Sequence, residues 1–133
     1  MATLPEGAGF PVFLEQTERP SKTFIIDWST RRIGGISDGL AAMRQAVDII
    51  MGTERFRWQI YGSGFGSELE ELAGEEEDYI EAEIPRRVRD AFSVDERILS
   101  EENYLFVHSG GGTVGVSFDV VTVCGTFRKE VSL

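Results

Sequence analysis

The sequence has few of the residues that usually carry out catalysis or bind metals. It contains one cysteine, Cys124, and one histidine, His108. A single cysteine excludes an intramolecular disulfide and is typical of a reducing compartment. One cysteine and one histidine provide no zinc-ligand spacing. No nucleophile is placed with His108, so we expect a structural role for it and no cofactor for the chain.

Long apolar runs and positive charge are also missing. No segment approaches about 20 consecutive apolar residues, so we expect no membrane span. The first residues lack a basic stretch followed by an apolar one, so we expect no secretory signal. Lys and Arg number 13 against 23 Asp and Glu, which gives a net charge of -10 and argues against nucleic-acid binding. Fourteen of the acids lie between Glu68 and Glu102, which predicts one negative flank.

The length of 133 residues predicts one domain with a proper core. Proline and glycine punctuate residues 1–22, so we interpret them as an N-terminal arm, either flexible or bound to a partner. Within this arm, Phe10 and Phe13 are candidate contacts with a neighbouring subunit. Residues 23–133 are expected to form the single domain.

The first half of this domain is predicted to contain a hairpin and a helix. Thr23–Trp28 has the apolar centre of a strand, and a short second strand at residues 31–33 ends at Gly34-Gly35. Ser37 is the predicted N-cap of a helix that reaches about Met51, with a wide apolar stripe typical of buried core.

A second helix and three strands follow. Four apolar residues at intervals of four predict the helix, and Pro85 either bends it or lies in the first turn of a helix beginning near Ala82. The later pattern predicts a strand at residues 103–108, a long strand with a bulge near Val120, and a turn at Gly125-Thr126. The expected fold is therefore α+β: a small antiparallel or mixed sheet, two main helices packed on it, and a C-terminal β-hairpin. The helix stripe consists of Ile80, Ile84, Val88 and Phe92.

Several motifs associated with ligands fail a fuller test. The glycine run at residues 62–66 is not followed by Gly-Lys-Ser/Thr, so it predicts a permissive turn and no phosphate loop. Residues 75–78 are acidic but lack the ligand spacing of a calcium loop. Many carboxylates could serve glycoside hydrolysis, yet no pair stands out. A small cell-wall glycan hydrolase is kept as the alternative function.

The stretch Ser93–Ile98 lies where the helical period changes to the period of a strand. It carries three charges between Val94 and Ile98, and a charge held at such a corner needs a partner. We expect Arg97 to be buried and ion-paired there, tying the second helix to the sheet. Asp95, Glu96 and Glu54 are its candidate partners.

An ordered set of short motifs resembles the baseplate wedge proteins of contractile phage tails, in the branch found in prophages of Gram-positive bacteria. That group is related to the sheath initiators of contractile injection machines, and some members carry the label "lysozyme-like". The motifs span roughly residues 24 to 133. They are Ile36-Ser37-Asp38-Gly39-Leu40, Arg44-Gln45-Ala46, Thr53-Glu54-Arg55-Phe56, Gly66 with Glu68-Leu69, Asp95-Glu96-Arg97-Ile98, and Thr122-Val123-Cys124-Gly125.

The central motif of this family is Glu-Pro-Arg, and Asp95-Glu96-Arg97 occupies its place here. The arginine is retained, the proline is absent and the acid is one methylene shorter. The resemblance implies a structural role for this motif together with Glu54 and Arg55. It also implies a structural subunit without catalysis, present in six copies around the tail hub.

The implied partners are other wedge proteins, the tail sheath and hub or spike proteins, without nucleic acid or membrane. The implied location is the host cytoplasm during assembly and then the baseplate of a virion or tail-like particle. The negative net charge predicts a monomer or weak oligomer in isolation.

The final strand is the candidate site of strand addition to the sheath, since it ends the sequence and presents an edge. The alternative is that the first strand, Thr23–Trp28, lies beside it. The candidate partner-binding residues in the final strand are Phe127, Arg128, Lys129, Glu130 and Val131.

Overall fold

The computed structural model describes residues 21–133, so the expectations for Phe10 and Phe13 lie outside the described residues. Two helices and five strands confirm the predicted α+β class. A short 3₁₀ helix, Glu70–Leu72, lies between the two α-helices. In chain order the main elements are β1 (Thr23–Asp27), β2 (Arg32–Ser37), α1 (Gly39–Gly52), α2 (Glu77–Phe92), β3 (Ile98–His108), β4 (Val114–Thr122) and β5 (Gly125–Ser132).

The strands form two antiparallel sheets where the sequence suggested one. β1 pairs with β2, and the second sheet has the order β3-β4-β5. β4 occupies the centre because every second residue from Val114 to Thr122 is buried while the residues between them are half-buried. The first strand therefore does not lie beside the last one.

One face of the larger sheet packs against the helices and forms the core. The apolar stripe predicted for α2 is buried as expected. The ring of Phe118 lies between two others, with centroids 6.2 Å from Phe92 and 5.1 Å from Tyr104. Full burial of such side chains contributes about 1.5–3 kcal/mol each. From α1, Met43, Val47 and Ile50 complete this core.

The hairpin and α1 meet differently from the prediction. β2 continues through Gly34-Gly35, because Gly35 adopts a φ of 73° that accommodates a bulge opposite β1. Ser37 is consequently the last residue of β2, paired with Thr23, and cannot cap the helix. Asp38 is the N-cap, and its Oδ1 accepts a hydrogen bond of 2.7 Å from the Gly39 N–H.

Pro85 lies inside α2, so the helix start proposed near Ala82 is wrong. Ile80 belongs to the same buried stripe as the residues after the proline, and burying it favours helix before Pro85. Glu77 and Asp78 in the first turn add a favourable interaction with the helix dipole.

The predicted bulge near Val120 is also wrong, since the register of β4 with β5 is continuous. The irregularities lie in β3, which begins at Ile98 and inserts an extra residue near Leu99 and again within residues 103–104. At the second irregularity, Asn103 adopts a positive φ of 55°. The last turn is formed by Val123 and Cys124, two residues before the predicted position.

Candidate functional site

The stretch Ser93–Ile98 connects the end of α2 to the start of β3, as the change of period indicated. The Asp95 carboxylate accepts three hydrogen bonds from Arg97: from the backbone N–H at 3.0 Å, from Nε at 2.9 Å and from Nη2 at 2.6 Å. Hydrogen bonding to Asp95 raises the pKa of the Arg97 guanidinium, although its partial burial opposes this. Asp95 is thus a bidentate partner of Arg97.

The predicted tie between α2 and the sheet through this ion pair is wrong, because both partners belong to the same turn. The backbone of Arg97 does contact the sheet, because the Val123 N–H in the turn between β4 and β5 donates to its carbonyl at 3.0 Å. The Arg97 side chain is 23% exposed. It lines a cavity of about 260 Å³ with Ala46 and Ile49, so it faces α1.

Glu54 and Arg55 lie in the loop between α1 and the 3₁₀ helix. Arg55 Nε donates to the Ser63 carbonyl at 2.8 Å, and Glu54 forms a backbone bridge with Ser67. Burial raises the pKa of Glu54, whose charged neighbours include Glu70. We therefore assign Glu54 to the structure of this loop. Glu96 lies exposed in the junction beside Asp95.

Gly66 shows why this loop needs a glycine. A Cβ at this position would lie 2.7 Å from the Thr53 carbonyl oxygen, and its φ is 104°. The close approach allows the backbone of Ser67 to bond with both Thr53 and Arg55. The loop reaches the junction at Gly64, where a Cβ would lie 3.5 Å from Val94.

Sequence reasoning missed Arg87, which is more buried than Arg97. Its side chain is 9% exposed, and its Nη1 donates to the Glu68 carbonyl at 2.6 Å. It also contacts Glu83 and Glu71, both at 3.2 Å. Burial opposes its charge, but these hydrogen bonds raise the pKa of Arg87. The sequence does contain a signal for its burial: Arg87 follows Ile84 by three residues, which places it on the buried side of α2.

The side chains of β5 divide between the core and the solvent. Phe127 is buried, and the Arg44 guanidinium lies 5.2 Å from the centroid of its ring. The Phe127 side chain is therefore not available to a partner, contrary to expectation. Lys129 Nζ donates to Asp48 Oδ1 on α1 at 2.7 Å. Val131 packs against the core, whereas Arg128 and Glu130 are exposed.

The outer edge of β5 presents unpaired backbone groups. Val114 and Leu133 exchange both backbone hydrogen bonds, at 3.0 and 2.9 Å. In an antiparallel ladder such pairs alternate with pairs that exchange none, so Val131, Lys129 and Phe127 turn their N–H and C=O toward β4. The intervening residues turn theirs outward, and no strand within residues 21–133 lies along that edge. The outward-facing residues are Thr126, Arg128, Glu130 and Ser132.

The edges of β3 and β1 are irregular or covered. Two bulges interrupt β3, and Glu101 and Glu102 lie between them. Bulges and charges at an edge discourage pairing. At the outer edge of β1, the Gln45 amide donates to the Phe24 carbonyl at 2.7 Å and accepts from the Ile26 N–H at 2.9 Å. The edge of β5 is therefore a regular one in a sheet whose opposite edge is irregular.

His108 lies at the end of β3, beside the first turns of α2. Its Nδ1 lies 3.0 Å from Glu77 Oε2 and its Nε2 lies 2.6 Å from Glu81 Oε1, so it joins the end of β3 to the start of α2. Within residues 21–133, no group of three or more His, Cys, Asp or Glu side chains is arranged to hold a metal ion. No helix in that range has the length and apolar character needed to cross a membrane.

Comparison with known proteins agrees with the resemblance described above. Residues 22–125 match the family model described as the contractile injection system sheath initiator. The phage-like element PBSX protein XkdS of Bacillus subtilis (strain 168) is 35% identical over 114 residues, which cover 83% of this chain and 80% of that protein. This chain belongs to the family of contractile injection system sheath initiators.

Proposed function

We propose that this protein is a structural, non-catalytic subunit of the baseplate wedge, and that it initiates sheath assembly by accepting a strand along β5. The observation that carries this proposal is the regular outer edge of β5, whose register with β4 is continuous from Gly125 to Ser132. Added strands gain affinity from main-chain hydrogen bonds and specificity from alternate side chains. Membership in the sheath-initiator family supports the choice of sheath as the incoming chain.

The packing of β5 makes its edge a rigid template. Phe127 and Val131 fix its inner face to the core, and Lys129 fixes its centre to Asp48 on α1. The strand therefore does not have to become ordered when a partner arrives, which lowers the entropic cost of pairing. The Arg128 guanidinium donates to Asp119 at 3.0 Å and to Ser117 at 2.9 Å, both on β4, so its charge lies over the outer face of the central strand.

The wider assembly follows from the same role. Six copies would surround the hub of a virion or tail-like particle, after assembly in the host cytoplasm. Each would contact other wedge proteins, with the arm of residues 1–22 binding a neighbouring subunit through Phe10 and Phe13. Strand geometry rather than a catalytic group would perform the function.

A proline substitution at Glu130 tests the edge directly. Glu130→Pro removes an N–H that points away from β4, and proline is tolerated where the missing donor faces solvent. The variant should fold with a melting temperature close to that of the original protein, yet assemble few or no sheaths on baseplates. Full-length sheath on baseplates that carry the folded variant would contradict strand addition at β5.

Two variants serve as controls. Glu130→Ala removes the same side chain but keeps the backbone donor, so sheath assembly should continue. Lys129→Pro removes an N–H bonded to β4 and breaks the contact with Asp48, so the protein itself should be destabilised. Electron microscopy of particles and thermal melting of each purified variant measure the two effects separately.

A further inference from the structure

The β1–β2 hairpin presents an apolar face that the rest of residues 21–133 leaves open. Phe24 pairs with Ile36 and Ile26 pairs with Ile33, and directly opposed residues lie on the same face of a sheet. Three of these side chains are largely exposed: Phe24 at 66%, Ile33 at 70% and Ile36 at 68%. A contiguous apolar patch of this kind is typical of an interaction surface.

A two-stranded hairpin is only marginally stable without packing on one face. Here the hairpin is attached to the domain through its β1 edge, by two hydrogen bonds with Gln45, which accepts one from Ile26 and donates one to Phe24. Those bonds fix its position and leave the apolar face available. We call this face, formed by Phe24, Ile26, Ile33 and Ile36, the hairpin face.

The hairpin is basic in a chain that is acidic elsewhere. Lys22, Arg31 and Arg32 are exposed, and Asp27, which lies opposite Arg32 on the other face, is the one acid in residues 22–37. The Asp27 carboxylate already accepts hydrogen bonds from the backbone and hydroxyl of Ser29. The hairpin therefore carries a net positive charge, which favours a partner whose charge is negative.

We infer that the hairpin face binds an amphipathic segment of another subunit, with apolar side chains flanked by Asp or Glu. A second copy of this chain fits poorly, because its acidic flank lies largely on and around α2, whose apolar side chains Ile80, Ile84 and Val88 are buried in its own core. The surface belongs to the smaller sheet and does not involve the β5 edge, so it stands independently of the proposed strand addition.

Site-specific photo-crosslinking in cells that assemble the particle tests this inference. A benzophenone amino acid replaces Ile33, and the crosslinked peptide is identified by mass spectrometry. The adduct should map to a segment of another subunit with an apolar stripe and net negative charge. The same probe at Ile60, an exposed isoleucine in a separate loop, should not capture that segment.

Charge reversal supplies the second part of the test. Arg31→Glu with Arg32→Glu should lower the yield of the Ile33 adduct by at least about fivefold, whereas the double replacement by lysine should preserve it. Arg86→Glu on α2 is a matched reversal away from the hairpin and should leave the yield unchanged. All variants should retain the original melting behaviour.

Four results would overturn the inference: no adduct at Ile33, an adduct to a second copy, an adduct to a segment without acids, or a yield insensitive to reversal of both arginines. Sheath assembly is scored in the same cells. Loss of the adduct with Arg31→Glu and Arg32→Glu, while Glu130→Pro retains it, separates this surface from the β5 edge.

Discussion

Replacing Arg97 by alanine should destabilise the protein by about 2 kcal/mol. An exposed ion pair contributes up to about 1 kcal/mol, and removing one partner of a fully buried pair costs about 3–5 kcal/mol. The side chains of Arg97 and Asp95 are 23% and 14% exposed, which places this pair between those limits. The substitution also removes the aliphatic stem that lines the cavity beside α1.

The expected change can be measured by calorimetry or thermal circular dichroism. An unfolding entropy of about 2.1 cal/mol/K per residue converts about 2 kcal/mol into a decrease in melting temperature of about 7 °C for a chain of 133 residues. Arg97→Lys should lower the melting temperature less, because lysine keeps the positive charge but cannot form the bidentate contact with Asp95.

A double-mutant cycle with Asp95→Asn isolates the interaction between the two side chains. The coupling free energy should be about 1–2 kcal/mol, since the residues are in direct contact. A decrease of only one or two degrees for Arg97→Ala, or a coupling free energy near zero, would show that this ion pair does not stabilise the protein.

The remaining predictions concern three other features. Arg87→Ala should destabilise the protein more than Arg97→Ala, because Arg87 is more buried and its removal breaks hydrogen bonds to Glu83 and to the Glu68 carbonyl. A smaller loss of unfolding free energy for Arg87→Ala in urea denaturation would contradict this order. Hydrogen bonds, first from the Ser29 hydroxyl, lower the pKa of Asp27 from 3.8 to about 2. Its contribution to hairpin stability should be complete above pH 3.8 and lost as the pH falls through 2, and an NMR titration midpoint near 3.8 would contradict this. The purified protein should sediment as a monomer or weak oligomer and leave a cell-wall suspension turbid; a tight hexamer or clearing would argue against the assembly role.

Local patterns in the sequence identified the helices well, because a helix stripe depends on residues only three or four positions apart. The buried side of α2 and the change of period at residues 93–98 are examples. The pattern also indicated a C-terminal hairpin, although the turn lies at Val123-Cys124. Turn position and strand bulges depend on pairing between strands, which periodicity does not encode.

Long-range contacts account for the rest. The sequence could not show that β1 would pair with β2 alone, or that Gln45 would cover the outer edge of β1. From the sequence we predicted Arg97 as the buried charge. Arg87 is more buried than Arg97, because the segment that carries Glu68 and Glu71 folds over it. The outward orientation of Glu130 follows from the β4–β5 register, which is a property of the folded hairpin.

A cryo-EM map of the assembled tail end tests the proposed function most directly. We expect an extended segment of the first sheath subunits beside β5, hydrogen-bonded to the outward-facing backbone groups of Thr126, Arg128, Glu130 and Ser132. A map in which that edge is exposed to solvent or covered by a helix, with the sheath contacting this subunit elsewhere, would contradict it.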